Sequence, residues 1–394
     1  MEGTLRMPRK NADNQQLHIA MIGQKRVPSR EGGVEIVVWE MAQRLVRMGH
    51  LVDCYNRSGY HIHPRDYDTK PGMPGRYDGG VRIITVPTFR NVKFNAIVYS
   101  VMASFRVLFT HYDVIHYHAE GPSIMCWLPK LFGRKVVVTI HGLDWQRSKW
   151  GHFASRMLRM GEKTAVKNAD EIIVLSKNLQ EYFQKEYGRK TRFIPNGINR
   201  GYRLQADLIR TRYGLRGGDY YMSLSRIVPE KGIHYLVEAF RKTKTDKKLL
   251  ICGGSGGTDE YYHEIEKMAA EDPRIIMTGF IEGEELEELL SNAYCYVLPS
   301  DVEGMAISLL EAMSYGNCCL VSDIKENTEV VRDHAVTFRK GDVEDLREKL
   351  QMLEDNPDTA ASYRDTAADF ICGEHSWDEM VEETVKLYRE VCSR

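Results

Sequence analysis

Two glutamates, Glu303 and Glu311, stand eight residues apart in LPSDVEGMAISLLEAMSYG (residues 298–316), a stretch otherwise dominated by small and apolar side chains. An unpaired buried carboxylate is costly or gives up its charge, so both groups need cations, water or a ligand as partners. Arg226 and Lys231, five positions apart in SRIVPEKG, are candidate partners. Cations are unfavourable just ahead of a helix, so a pair placed there points to anion binding. Two fixed cations stabilise negative charge that develops on a leaving group. The pair Gly32-Gly33 lets backbone approach a ligand closely, as a phosphate loop requires, although any tight turn would use it. His116, His118 and His141 end or follow short apolar runs, where a histidine serves as a structural hydrogen-bonding residue or as a ligand contact. His116 is expected to point the other way along its strand from His118.

These residues need elements to hold them. LHIAMIGQ (17–24) reads as a strand, and VEIVVWEMAQRLVRMGH follows with Val34, Val37, Val38, Met41, Leu45 and Met48 at helical spacing; LVDCYNR is a strand again. The pattern recurs through VRIITVP, DVIHYH, KVVVTIHG and EIIVLS, then restarts after RFIPNGINR with YYMSLSR, KLLICGGSGG, RIIMTGF, CYVLPS and CCLVSD. Short β-branched runs without alternation suit strands covered on both faces. The expected fold is α/β: two doubly wound Rossmann-like domains facing an interdomain cleft, with ligands at the C-terminal ends of the strands. The expected boundaries are a disordered leader at 1–16, an N-terminal domain at 17–197, a C-terminal domain at 198–375 and an amphipathic helix at 376–394 packing back towards the N-terminal domain. Glu303 then lies in the loop after CYVLPS, and Glu311 lies about two turns into the next helix, roughly 12 Å away along a helical path.

Composition narrows the class. A chain of 394 residues with 43% hydrophobic and 28% charged residues is globular rather than disordered or collagen-like. Eight cysteines with no CxxC pair fit a reducing cytoplasm better than a disulfide framework or a zinc site. The net charge of −1 conceals +13 over residues 1–197 and −14 over 198–394, so the basic half suits anionic ligands or an anionic membrane surface. No run of about 18 apolar residues is long enough to span a bilayer. VKFNAIVYSVMASFRVLF (92–109), flanked by Arg90, Lys93 and Arg106, reads either as a core-facing helix or as a basic-edged helix touching lipid. CGGSGG (252–257) lacks the setting of a dinucleotide fingerprint and reads as a loop lining the ligand site. Asp66-Tyr67-Asp68 matches a DxD metal signature by letters only.

The ordered set EGGVExxVxxMAxxLxxxGH, VTIHGLD, IPNGI, SRIVPEKG and EGMAISLLEAMSYG resembles the retaining, nucleotide-sugar-dependent glycosyltransferases of family four, which adopt the GT-B fold. The resemblance runs from about residue 17 through nearly the whole chain. Its most specific element is the E-x7-E pair, Glu303 and Glu311, in a small-residue context.

The resemblance implies transfer of a sugar from a nucleoside diphosphate to a hydroxyl acceptor with retained configuration and without a metal or other cofactor. In that reading Glu303 faces the sugar and diphosphate, and Glu311 the ribose. Gly304, Met305 and Ala306 offer helix-terminal amides, and Arg226 and Lys231 carry the diphosphate charge. Gly32 and Gly33 approach the donor from the other domain, Gly279, Phe280 and Ile281 meet the base, and His118 and His141 contact the sugar or acceptor. QKRVPSREGG is longer and more basic than the family's usual loop, so Lys25, Arg26 and Arg30 are candidates for an anionic acceptor, with Asp144 a further acceptor contact. The expected partners are a nucleotide-sugar donor and a saccharide or polyprenyl-diphosphate-linked acceptor, in surface polysaccharide or glycolipid assembly. No nucleic-acid partner is expected. The expected location is cytoplasmic or peripheral on the inner membrane face. The alternatives are a GT-B sugar-nucleotide epimerase and a nucleotide-sugar-binding protein that has lost catalysis.

Overall fold

The computed structural model describes residues 15–58, 76–89, 92–146 and 151–394. Most of the expected leader, the Asp66-Tyr67-Asp68 triplet and Arg90 lie outside them. The strands are β1 (His18–Ile22), β2 (Leu51–Arg57), β3 (Arg76–Asp78), β4 (Val81–Val86), β5 (Val114–His118), β6 (Val136–Ile140), β7 (Glu171–Val174), β8 (Arg192–Phe193), β9 (Tyr220–Leu224), β10 (Lys248–Cys252), β11 (Ile275–Gly279), β12 (Cys295–Leu298), β13 (Cys318–Ser322) and β14 (Val336–Phe338). By packing, the described residues divide into two compact units. One holds the chain up to Thr139 with Gly161–Glu171 and Val385–Arg394; the other holds Ile140–Met160 and Ile172–Thr384.

In the first unit the strands run β3-β4-β2-β1-β5-β6. The pairings from β4 to β6 are parallel, and β3 joins β4 antiparallel. The helix Gly33–Arg47 follows β1 and buries Val37, Val38, Met41, Ala42 and Leu45, the stripe its periodicity predicts. The chain leaves β1 towards β2 and later returns to its other side as β5, so the loops after β1 and β5 separate at a switch point.

The second unit carries a six-stranded sheet, β11-β10-β9-β12-β13-β14, with every recorded pairing parallel. Here β9 is central, with β10 on one side and β12 on the other, so the loops after β9 and β12 form a second switch point. The helix Ile233–Lys242 buries Ile233, Leu236, Val237 and Phe240 against this sheet, and the Phe240 ring meets Tyr221 edge-on at 5.9 Å. Each large side chain buried this way contributes about 1.5–3 kcal/mol.

All eight cysteines are free thiols. The helix Val92–Arg106 and the short turn Val107–Phe109 have two faces: Tyr99, Ala103 and Val107 are buried, whereas Ile97, Met102, Phe105 and Phe109 are exposed, Phe109 at 89%. Among the described residues, no helix is long and apolar enough to cross a membrane. The last helix, Trp377–Ser393, contributes residues to both units, and Val385, Tyr388 and Val391 are buried in the first.

Candidate active site

In the second unit the two carboxylates of the E-x7-E pair occupy different settings. Glu303 is buried in the loop after β12, and its Oε1 accepts from Lys231 Nζ at 2.5 Å and from Ser300 Oγ at 2.6 Å. The ion pair is largely desolvated, with side-chain exposures of 15% for Lys231 and 6% for Glu303. A buried pair repays its desolvation only with good geometry and further hydrogen bonds, and Ser300 supplies one. Ser300 is itself held, because its carbonyl accepts from Ser322 Oγ at 2.5 Å. Glu311 is half-buried on the helix Ile307–Ser314.

Backbone contacts fix the approach of the two loops. Asp301 N donates to Glu230 O at 2.9 Å, joining the β12 loop to the turn Pro229–Lys231. Gly232 has φ +65°, and a β-carbon there would lie 2.1 Å from Pro299 O. Only glycine allows this approach, which brings Lys231 to Glu303. Tyr296, buried on β12, reaches Ser308 Oγ at 2.8 Å and so ties the strand to the first turn of the Glu311 helix. Burial pushes its phenol well above the ordinary range, with Glu303 and Glu311 adding in the same direction, so the hydroxyl stays protonated.

Arg226 lies in the loop after β9, packed by CGGSGG. A β-carbon on Gly256 would meet Arg226 Cβ at 3.1 Å, and Ile227 N donates to Gly254 O at 2.8 Å. Gly253 N donates to Gly279 O at 2.8 Å, so the Arg226 loop, the glycine loop and the start of Gly279–Ile281 are contiguous. Gly279 has φ +71°, Phe280 is exposed and Ile281 is buried. His141 and Asp144 also pack in this unit. The His141 carbonyl lies 1.6 Å from where a β-carbon of Gly304 would be, and Asp144 opens the short turn Asp144–Gln146. Met305 Sδ accepts from Asn196 N at 3.3 Å, and Ala306 is the N-cap residue of the Glu311 helix. A pocket of about 350 Å³ adjoins Glu303, lined in part by Leu143, Gln146, Asn178, Asp301, Asp323 and Glu326. A volume of this order admits a sugar ring.

The first unit places the remaining candidates around its own switch point. A β-carbon on Gly23, which has φ +136°, would lie 2.1 Å from His118 O, so the ends of β1 and β5 touch through their backbones. The loop between Gly23 and Gly32 is stitched down. Asn56 accepts from Val27 N at 3.0 Å and donates to Val27 O at 2.8 Å; Lys25 N donates to Glu35 Oε1 at 2.8 Å; Arg57 N donates to Lys25 O at 2.7 Å. Stitching turns Arg26 inwards, to 3% exposure, while Lys25 and Arg30 stay exposed. Gly32 caps the helix that Gly33 begins.

One expectation is corrected. His116 does not point away from His118: the two rings lie 4.2 Å apart on one face. Side chains alternate along a strand, so positions i and i+2 share a face. Ser300 and Tyr296 were not singled out from sequence. Their signal was available in Ser300, three residues before Glu303, but a serine there also reads as a loop residue. Among the described residues, no group of three or more His, Cys, Asp or Glu is arranged to hold a metal ion.

Residues 31–201 match the family described as Glycosyltransferase Family 4, and residues 207–370 match Glycosyl transferases group 1. The chain is 29% identical over 309 residues to an alpha-maltose-1-phosphate synthase of Mycobacterium tuberculosis, covering 71% of this chain and 79% of that one. Sucrose-phosphate synthase of Thermosynechococcus elongatus has a similar structure, with a TM-score of 0.81, 22% identity and coverage of 96% of this chain and all of that one. Anabaena HepE, solved with UDP and glucose, superposes with a TM-score of 0.78 at 14% identity, covering 94% and 99% of the two chains. Between them the two glycosyltransferase models match most of the chain, so it belongs to the glycosyltransferases that they describe, and the solved structures share its fold.

Proposed function

We propose that the protein is a metal-independent glycosyltransferase that retains anomeric configuration and passes a hexosyl or related sugar to a hydroxyl of a saccharide or polyprenyl-diphosphate-linked acceptor. The observation that carries this reading is the Lys231–Glu303–Ser300 cluster at the second switch point, beside the start of the Glu311 helix. In this reading residues 198–375 hold the donor and residues 17–197 the acceptor.

Arg226 and Lys231 hold the diphosphate, Glu311 the ribose, Gly279, Phe280 and Ile281 the base, and Gly304, Met305 and Ala306 the phosphate oxygens. Gly32 and Gly33 complete the donor contacts, and His118 and His141 meet the transferred sugar. The acceptor hydroxyl attacks from the face the diphosphate leaves, and a leaving phosphate oxygen takes its proton. The C–O bond to the acceptor forms as the C–O bond to phosphate breaks, and the negative charge collects on the nucleoside diphosphate. Catalysis is then positioning and charge stabilisation. Lys231 changes partner during this step: paired with Glu303 in the free protein, it gains the diphosphate as charge builds there.

The pocket beside Glu303 suits a saccharide, since carboxylates and amides such as Asp323, Glu326, Asn178 and Gln146 bind hydroxyls well. The exposed cations Lys25 and Arg30, with Arg26 behind them and Asp144 as a further contact, suit an anionic acceptor group. Exposed Phe105 and Phe109 support peripheral contact with an anionic membrane. Phe109→Glu is expected to weaken co-sedimentation with phosphatidylglycerol vesicles.

A thermal-shift screen against UDP-, GDP-, dTDP- and ADP-sugars, followed by NMR of the product's anomeric proton, tests the function. A retained anomer formed only with acceptor present, undiminished by EDTA, supports it. Inversion, or loss of activity in EDTA with rescue by a divalent ion, overturns it. Consumption without acceptor to give an isomeric nucleotide sugar identifies an epimerase, and binding without turnover identifies an inactive binding protein.

A further inference from the structure

The first switch point holds a buried cluster for which donor binding gives no reason. His116 is fully buried on β5, with Nδ1 2.6 Å from the Tyr388 hydroxyl and Nε2 2.7 Å from Thr139 Oγ1. A neutral imidazole has one N–H and one lone pair, so two hydroxyls satisfy it completely, one accepting and one donating. Burial holds the Tyr388 phenol well above its ordinary range, so it keeps its proton. Tyr388 comes from the last helix, 272 residues away in sequence, and its ring stands edge-on to His116 at 84°.

The other face of His116 meets His118, at 4.2 Å between centroids and 32° between planes. The backbone around His118 is fixed as well. Gly23 abuts its carbonyl, Thr139 is its register partner on β6, and Ala119 N donates to Thr139 O at 2.9 Å. Ala119 adopts φ +72°, a region that costs a residue with a β-carbon free energy and that clusters at functional sites. The His118 ring packs on that of His116, tilted 32° to it.

We propose that Tyr388 is a positioning residue for sugar transfer: through His116 it orients the ring of His118. The proposal rests on the reading of His118 as a sugar contact. Tyr388 itself touches no substrate. Its hydroxyl and that of Thr139 clamp His116 from opposite sides, and removing either lets the stacked pair tilt.

Tyr388→Phe keeps the ring and removes the hydroxyl. With UDP-glucose as the probe donor, turnover is expected to fall about tenfold while KM changes less than about twofold, because misplacement of a transition-state contact lowers kcat rather than ground-state binding. In the unliganded full-length protein the His118 Cε1–H NMR resonance is expected to shift or broaden, while that of exposed His263 stays in place. Thr139→Val is expected to do the same from the other nitrogen, and Thr139→Ser to recover most of what Thr139→Val loses. An unmoved His118 resonance in folded Tyr388→Phe and Thr139→Val overturns the proposal. If Tyr388→Phe loses its cooperative melting transition, the Thr139 pair decides; if UDP-glucose is not turned over, the resonance decides. His118→Ala separates the two levels, because full turnover in that variant removes the sugar-contact reading while the resonance experiment still reports whether Tyr388 orients the ring.

Discussion

The two switch points are built alike and filled differently. In the second unit the loops after β9 and β12 meet through an ion pair, Lys231 with Glu303, at 2.5 Å. In the first, the ends of β1 and β5 meet through bare backbone, Gly23 against His118, over a stack of two imidazoles braced by hydroxyls. One end is charged and can answer a change in ligand charge. The other uses hydrogen bonds and van der Waals contact. The same parallel-sheet geometry supplies both because strand ends expose loops without dictating their chemistry.

The strongest way to break this comparison is to remove charge from the second point. Glu303→Ala or Lys231→Ala is expected to lower turnover by about 10²- to 10³-fold, the scale of losing one preorganised electrostatic contact. Circular dichroism should show the fold intact. A double variant no worse than either single one identifies the pair as one unit. Normal turnover in both single variants removes the assignment.

Glycine substitution tests the close approaches. Gly304→Ala would put a β-carbon 1.6 Å from His141 O, and Gly23→Ala would put one 2.1 Å from His118 O at a φ unfavourable to alanine. Each is expected to cost about 1–3 kcal/mol or more, read as a lower denaturant midpoint with an unchanged m-value. A neutral Gly254→Ala serves as control, since open space surrounds that position.

His118→Ala sharpens the contrast from the uncharged side, with an expected loss of turnover of about tenfold to a hundredfold, less than for Glu303→Ala. A loss equal to that of Glu303→Ala would mean that the two points do not differ as argued.

The smallest effect expected is a pH dependence of stability. Burial lowers the pKa of His375, while the Asn196 carbonyl 3.2 Å from Nδ1 opposes this. A folded-state pKa below the unfolded value means that the unfolded chain binds the extra proton first. The contribution is therefore present above about pH 6.5 and is lost as pH falls towards the folded pKa. Melting temperatures between pH 7.5 and 5.5 should fall, with a shallower slope in His375→Gln.

Much of this was legible in the sequence. Short β-branched runs separated by helical stripes specify two parallel sheets because a strand covered on both faces must be apolar throughout. The motifs SRIVPEKG and EGMAISLLEAMSYG put Arg226, Lys231 and Glu303 in loops after strands and Glu311 on the helix that follows. His116 was misread although the period of two was sufficient to place it beside His118. Arg26 was grouped with Lys25 and Arg30 by charge alone, since nothing local shows that Asn56 stitches that loop down.

The sequence by itself determined the elements, their class and the residue types at the strand ends, because periodicity and turn chemistry are local. Only the tertiary structure decided the partners: Lys231 with Glu303, 72 residues apart, and Tyr388 with His116, 272 apart. Such pairings depend on which strands become neighbours. That choice is made by burying whole helix and sheet faces at once, and no short stretch of chain records it.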